Sequence, residues 1–312
     1  MKKSKPFISI IIPTLNEEQY LPQLLEDLTK QTFQNFEVIH VDAQSTDKTT
    51  QKAAQFADQL ELKSIASDQR NVGHQRNLGS QKARGEWIIF MDADNRLPNH
   101  FLQGIKYQLD KKQNVNAFTC WLDVKSYQTT HQPAIQLINF GLSLFKSEAF
   151  GAMLGIRAKL MEKYCFSEKQ KFCEDIALVK KLIQDGYNFS CFRDPQYFTS
   201  PRRFEKEGLA KITTSAIEAR LRMLLNDNLE NFDKYPMMGG SYYDEVSQET
   251  SSQPTNRQPS QNQETENPSR NNEESRLTQL IDNVESFLLK ASKKQLARAK
   301  RIWLFVLNQD ES

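Results

Sequence analysis

Histidine and cysteine are scarce in these 312 residues, with four of each. The histidines are His40, His74, His100 and His131, and none stands in an H-E-x-x-H pattern or at another zinc spacing. The cysteines, Cys120, Cys165, Cys173 and Cys191, form no C-x-x-C pair, so neither a zinc knuckle nor a dithiol redox motif is indicated. Scattered single cysteines in a chain of this size fit reduced core residues of an intracellular protein. No run approaches the ~20 apolar residues that a spanning helix needs. The start, Met1-Lys2-Lys3-Ser4-Lys5, is basic, but the apolar run behind it ends at Pro13. That run is too short for a secretory h-region and lacks a small-residue cleavage site. A net charge of +2 gives no bulk argument for nucleic acid. No internal repeat is present. These absences predict a protein that is soluble and cytoplasmic, or peripheral at the inner face of the cell membrane.

What is present centres on Glu86-Trp87-Ile88-Ile89-Phe90-Met91-Asp92-Ala93-Asp94-Asn95-Arg96-Leu97-Pro98. An unbroken apolar run after a glycine reads as a strand buried on both faces. It stops at two aspartates, and Pro98 fits the first turn of a helix spanning 97–111. In open α/β sheets ligands bind beyond the carboxyl ends of strands. Asp92 and Asp94 stand there, where paired carboxylates suit a hard divalent cation that also holds a phosphate. Ordinary strand-to-helix punctuation by Asp and Asn is the other reading of the pair.

Upstream, strands are expected at 7–12 (closed by Pro13), 36–41 and 60–66. Helices follow Asn16, with Gln19 at the N3 place of a capping box, and Ser45-Thr46-Asp47. A further helix is expected over 76–84, ended by Gly85. Strands alternating with helices mean βαβ units and a parallel sheet. Downstream, 115–124 is strand-like and 135–145 helical or loop-like. Residues 151–157 are small and glycine-rich, suiting either an acceptor-side wall or core packing. Glu174-Asp175 opens a helix to Gln184, and acids belong in a first helical turn. Short strands are expected at 187–192 and 196–199, then Pro201-Arg202-Arg203-Phe204 and a helix over about 206–230. Residues 239–275 are rich in Gln, Asn, Ser, Thr, Pro and Glu and read as a disordered linker. Residues 276–308 read as a basic amphipathic helix, with three readings open: folding back on the main domain, pairing with a partner, or lying on an anionic membrane. The main domain is expected over 1–235, with a nucleotide half at about 1–95 and an acceptor half at about 96–205.

Three strand ends precede the acidic pair. Pro13-Thr14-Leu15-Asn16-Glu17 offers helix-start N–H groups and polar side chains suited to a nucleoside or its phosphates, or simply a capped loop. Asp42, at the end of the second strand, can accept bonds from a ribose or base. In Asn71-Val72-Gly73-His74-Gln75-Arg76-Asn77-Leu78-Gly79, Arg76 offers a fork for phosphate.

Taken together, P-T-L-N-E-E, V-D-A-Q-S-T-D-K-T, R-N-L-G-S-Q-K-A-R-G and M-D-A-D resemble the family 2 glycosyltransferases over about residues 7–205. Each block is weak alone, and the ordered set is specific. The resemblance implies a GT-A fold, a Rossmann-like, mostly parallel sheet flanked by helices. It also implies an inverting enzyme using a nucleotide-diphosphate sugar donor, a glycan or lipid-linked acceptor and a divalent metal, Mg2+ or Mn2+. By this likeness Thr14, Asn16 or Glu17, and Asp42 line the nucleoside site, with Pro13 among the substrate-binding residues. Asp92 touches the ribose or sugar and Asp94 holds the metal. In Cys173-Glu174-Asp175-Ile176 the acidic pair carries the catalytic base, with Asp175 the choice over Glu174. The chain lacks Q-x-x-R-W and has Ser200-Pro201-Arg202-Arg203-Phe204 instead, which argues against processive synthesis and offers Arg202 or Arg203 to the diphosphate. No histidine follows His131, so metal coordination rests on Asp94 with phosphate and water. A non-catalytic nucleotide-sugar binder of the same fold is the alternative class.

Overall fold

The apolar runs that end near Pro13, Asp42, Ala66 and Met91 pair side by side: three of them bury both faces between neighbours covered by helices, and the run ending at Ala66 stays part-exposed at the sheet edge. In the computed structural model they are β1 (Ile8–Thr14), β2 (Phe36–Asp42), β3 (Leu62–Ala66) and β4 (Trp87–Met91), and all their mutual pairings are parallel. The structure describes residues 5–128, 132, 135, 136, 138, 139, 152–170, 173–207 and 240. Two compact units are distinguished, Met1–Arg203 with Pro236–Glu245, and Phe204–Tyr235 with Val246–Ser312. All the described strands lie in the first.

Helices α1 (Leu21–Thr29), α2 (Thr49–Ala54) and α3 (Val72–Ser80) connect the parallel strands. Beyond β4 come β5 (Asn95–Arg96), α4 (Phe101–Lys111), β6 (Ala117–Leu122), β7 (Met153–Arg157), α5 (Glu174–Gln184), β8 (Phe189–Thr199) and α6 (Arg202–Glu207). The sheet order is β3-β2-β1-β4-β7-β6-β8-β5. β7 runs antiparallel to both β4 and β6, β8 is parallel to β6, and β5 is antiparallel to β8. The expected α/β architecture is present, with its parallel half at 8–91 and a mixed second half. Every residue of β1, β2 and β4 is buried. At ~1.5–3 kcal/mol for each fully buried large apolar side chain, these three strands anchor the fold. The register sets Thr14 beside Asp42, so the loops after β1 and β2 lie next to each other at one edge.

Several expected boundaries move. α1 begins at Leu21, and Asn16 does not cap it. α3 begins at Val72, where Asn71 Oδ1 accepts from the His74 N–H at 2.9 Å. Gly85 does not end that helix. A Cβ there would lie 2.6 Å from the Ser9 nitrogen, so the glycine lets the chain cross β1 closely. α4 starts at Phe101 rather than 97, because Asn95–Arg96 pairs with β8 first. The two strands expected at 187–199 are one strand, β8. Within the stretch considered as an acceptor-side wall or core packing, Met153–Arg157 form β7, a buried central strand. A Cβ on Gly155 would sit 2.2 Å from the Phe118 ring, which stacks on Phe192 with ring centroids 4.9 Å apart. The glycine admits an aromatic ring of the core. The helix expected over 206–230 is described only to Glu207. Of the linker expected over 239–275 only Gly240 is described, and the terminal helix of 276–308 lies outside the described residues.

Candidate active site

The carboxyl ends of β1 and β2 are bound together by side chains. Thr14 Oγ1 donates to Asp42 Oδ1 at 3.0 Å and contacts His40 Nε2 at 2.8 Å. Having given its proton to Asp42, the Thr14 hydroxyl accepts from His40 Nε2–H, which leaves Nδ1 to accept from Ser64 Oγ at 3.2 Å. Burial lowers the His40 pKa to about 4, against the pull of Asp42, so the ring is neutral near pH 7. Asp42 also accepts from the Ser45 N–H at 2.9 Å and from Ser45 Oγ at 2.6 Å. Its carboxylate therefore shapes its own turn as well. Asn16 takes a left-handed backbone, φ 56°, which asparagine tolerates. Its N–H donates to Ser45 Oγ and its Oδ1 accepts from the Thr46 N–H, both at 2.8 Å. The Glu17 N–H donates to Thr49 Oγ1 at 2.8 Å. Pro13, expected just beyond β1, is a buried residue within it, paired with Val41. The loop residues expected to line a nucleoside site are thus brought together, with many of their polar atoms holding one loop to the other.

Asp92 and Asp94 follow β4 but face different partners. Asp92, 39% exposed at its side chain, accepts at Oδ1 from Arg76 Nη2 at 3.0 Å. Arg76 Nη1 donates to Glu174 Oε1 at 2.5 Å. Arg76 is only 3% exposed, and its guanidinium lies 5.3 Å from the centre of the Phe166 ring. An open phosphate fork is not what the structure places here: both terminal nitrogens meet carboxylates. Next to Glu174, Asp175 is buried at the start of α5, and its Oδ2 has no hydrogen-bond partner among the described residues. Burial, and then the Glu174 charge, push the Asp175 carboxyl up to about 7, while Arg76 draws it down. Cys173 precedes the pair in a left-handed conformation, φ 57°. Burial beside two acids keeps its thiol protonated.

Asp94 belongs to a second cluster. Its Oδ2 accepts from Arg202 Nε at 3.1 Å, and Thr199 Oγ1 donates to Oδ1 at 3.3 Å. Arg202 Nη2 reaches Glu17 Oε1 and Oε2 at 2.7 and 2.9 Å, and its guanidinium lies 4.2 Å from the centre of the Tyr20 ring. All three charged side chains are largely covered, with exposures of 11–14%. Glu17, expected to line the nucleoside site, instead joins Asp94 through this guanidinium. The Arg203 side chain lies outside the described residues. Among the described residues no group of three or more His, Cys, Asp and Glu is gathered for a metal. The Asp94 and Asp92 oxygens are nevertheless of the hard type that Mg2+ and Mn2+ take, in sites completed by phosphate and water.

Supporting residues escaped the sequence reading. Gln75 Nε2 donates to the Thr14 and Val41 carbonyls at 2.9 and 2.7 Å, linking the ends of β1 and β2. Asn77 pairs with both backbone groups of Phe166, at 2.9 Å to its N–H and 3.0 Å to its carbonyl. Asn95 Nδ2 donates to the Ala152 carbonyl at 2.7 Å, fixing the turn after Asp94. The Gly240 N–H donates to the Leu15 carbonyl at 2.8 Å, and a Cβ there would lie 2.6 Å from the Glu17 carboxylate. Nothing in the polar run His74-Gln75-Arg76-Asn77 distinguished Gln75 and Asn77 in sequence.

Comparison with known proteins agrees with this architecture. Poly(ribitol-phosphate) beta-N-acetylglucosaminyltransferase TarS of Staphylococcus aureus (strain Mu50) is 35% identical over 107 residues, which is 33% of this chain but only 19% of that protein. A PGL/p-HBAD biosynthesis glycosyltransferase of Mycobacterium bovis is 36% identical over 115 residues, 36% of this chain and 41% of the relative. These relatives are thus matched over less than half their length. The crystal structure of S. aureus TarS 1-349 in complex with UDP-GlcNAc superimposes with a TM-score of 0.51 at 25% identity, over 73% of this chain and 69% of that one. The mannosyltransferase PcManGT of Pyrobaculum calidifontis, in complex with GDP-Man and Mn2+, shares the fold at a TM-score of 0.60 and 16% identity, over 98% of this chain and 81% of that one. The profile of glycosyl transferase family 2 matches residues 9–164, half of the 312-residue chain and its parallel strands β1–β4 from Ser9 on, and this chain belongs to that family.

Proposed function

We propose that this protein transfers a sugar from a nucleotide-diphosphate sugar to an acceptor hydroxyl with inversion, and that Asp175 is the base. The carrying observation is Asp175 itself. It is a buried carboxylate with one unpartnered oxygen and a pKa raised to about 7, one residue from the Glu174–Arg76–Asp92 chain that leads to the end of β4. A base poised near the working pH is what proton removal from an attacking hydroxyl requires. The acceptor oxygen bonds to the anomeric carbon from the face opposite the diphosphate. Its proton passes to Asp175, and the carbon–oxygen bond to the nucleoside diphosphate breaks with its electron pair leaving on the phosphate.

The loops after β1 and β2 hold the nucleoside, with Pro13, Thr14, Asn16 and Asp42 forming its wall and Asp92 meeting the ribose or sugar. Asp94 and Asp92 are the residues to hold a divalent cation, which supplies charge neutralisation on the diphosphate. Arg202, which pairs with Asp94 and Glu17, is the cation at this end of the sheet to take the diphosphate, in a charge-assisted contact of the bidentate kind. The relatives' names support a glycan or lipid-linked cell-envelope acceptor, and the UDP-GlcNAc complex of the S. aureus relative makes UDP-sugars the first donors to try. No helix among the described residues is long and apolar enough to cross a membrane, which suits a cytoplasmic enzyme, or one peripheral at the membrane. Residues 276–308 are the segment proposed to make the peripheral contact.

The test is release of nucleoside diphosphate from a panel of UDP- and GDP-sugars with Mn2+. Asp175→Asn is expected to lose about 10²–10⁴ in rate while still binding donor. Equal rates for the variant and the wild type would remove the assignment.

A further inference from the structure

We propose that Arg76 is a positioning residue of the transfer reaction: its buried guanidinium ties the donor-side carboxylate of Asp92 to the base-bearing start of α5 through Glu174, and it governs turnover rather than donor affinity. The inference rests on the proposed function above. It departs from the open phosphate fork that an arginine in this loop region suggests.

Arg76 sits in α3, sixteen residues before Asp92 and ninety-eight before Glu174 in sequence. At 3% exposure it has little surface to offer a ligand, and Phe166 lies against its guanidinium. The planar fork presents separate nitrogens to separate acceptors, so one side chain can span two carboxylates where a point charge cannot. The consequence is geometric. Asp92 marks the end of β4 and Glu174 the first residue of α5, so a rotation of either element is felt by the other through one rigid group. Asp175 follows Glu174 directly and moves with it. The electrostatics run the same way. Among the described residues, the groups acting on Asp175 are Glu174, Arg76 and the backbone N–H groups at its own helix start, with Cys173 alongside. Arg76 is the one side-chain cation among them, and it opposes the rise that burial and Glu174 impose. Without it, Asp175 would hold its proton to higher pH and could not take another from the acceptor.

The test compares wild type, Arg76→Met and Arg76→Lys, with folding checked by far-ultraviolet circular dichroism. Calorimetry reads the affinity for UDP with Mn2+, release of nucleoside diphosphate reads turnover, and 13C NMR reads the Asp175 carboxyl titration, assigned with Asp175→Asn. For Arg76→Met, kcat falls about 10²-fold while UDP affinity stays within about threefold, the mark of an interaction that matters in the transition state. The Asp175 midpoint moves above the wild-type value. Arg76→Lys restores much of the midpoint but not the rate, because an ammonium does not span both carboxylates. If Arg76→Met does not fold, the lysine variant decides through the same split. Loss of UDP affinity with kcat intact makes Arg76 a phosphate ligand and overturns the proposal, and so does an Asp175 midpoint that stays in place. If the wild type turns over no donor, the proposed function fails. The titration still reads the link between Arg76 and Asp175.

Discussion

Replacing Arg202 by methionine keeps the length of the side chain and deletes the charge between Asp94 and Glu17. The guanidinium makes one contact of 3.1 Å to Asp94 and two, of 2.7 and 2.9 Å, to Glu17, among side chains only 11–14% exposed. Removing one partner of a buried ion pair costs about 3–5 kcal/mol, because the charge left behind has lost its solvation. The slight exposure here trims that to about 2–3 kcal/mol, partly offset by methionine packing on Tyr20. For a unit of this size about 2–4 °C of Tm accompanies each kcal/mol, so the variant is expected to melt roughly 5–10 °C below wild type. Cation binding should then separate the two proteins. In wild type a cation at Asp94 must displace the guanidinium; in the variant the carboxylates await one. Mn2+ should therefore raise the Tm of Arg202→Met more than that of wild type, by up to about 2.7 kcal/mol of added stability at a hundredfold excess over its dissociation constant. UDP affinity in the presence of Mn2+ should change in the opposite direction, since the variant lacks the arm proposed to hold the diphosphate. The assay is differential scanning fluorimetry with an Asp94→Asn, Arg202→Met double variant as control. Equal Mn2+ shifts in wild type and Arg202→Met would refute the reasoning, as would a shift that survives the loss of Asp94.

Asp175→Asn should stabilise the fold while cutting turnover by about 10²–10⁴. A carboxyl whose folded pKa is raised to about 7 is a native-state liability once ionised, so stability falls as pH climbs from its ordinary range towards 7 and then levels off. The variant's gain in Tm should be largest above pH 7 and vanish in acid, as followed by thermal melts across pH. His40 acts in the other direction. Its folded pKa, depressed to about 4 by burial, gives stability that is present above its ordinary value of 6.5 and lost as pH falls towards 4. His40→Gln should flatten that limb of the melting profile. Gly155→Ala should cost about 1–3 kcal/mol in urea unfolding, since its methyl would meet the Phe118 ring inside a packed sheet.

The parallel half of the sheet was legible because its signal is local. Short apolar runs closed by Pro13, Asp42 and Asp92 bury themselves wherever they find neighbours. The helix-start acids Glu174 and Asp175 were legible for the same reason. Helix beginnings were misread where a side chain had a better offer across space: Asn16 matches an N-cap in sequence, yet its amide oxygen serves Thr46 in the neighbouring loop. β7 stands open in sequence between an acceptor-side wall and core packing because Met153, Leu154, Gly155 and Ile156 do not announce a partner, and Gly155 answers to Phe118, thirty-seven positions upstream in the numbering. The charge pairing at the site was the least legible part. Arg76 and Arg202 both looked like phosphate ligands, and what they touch depends on Glu174, ninety-eight residues from the first, and on Glu17, one hundred and eighty-five from the second. Residue type disclosed that cations gather at these strand ends, while only the folded chain disclosed which acids they meet.

The central claim is tested most directly by following nucleoside diphosphate release from UDP- and GDP-sugars with Mn2+, in wild type and Asp175→Asn side by side, with donor binding measured on both. The account predicts release by wild type and a loss of about 10²-fold or more in the variant at nearly unchanged donor affinity. It is contradicted if wild type releases nothing from any donor, or if the variant keeps pace with it.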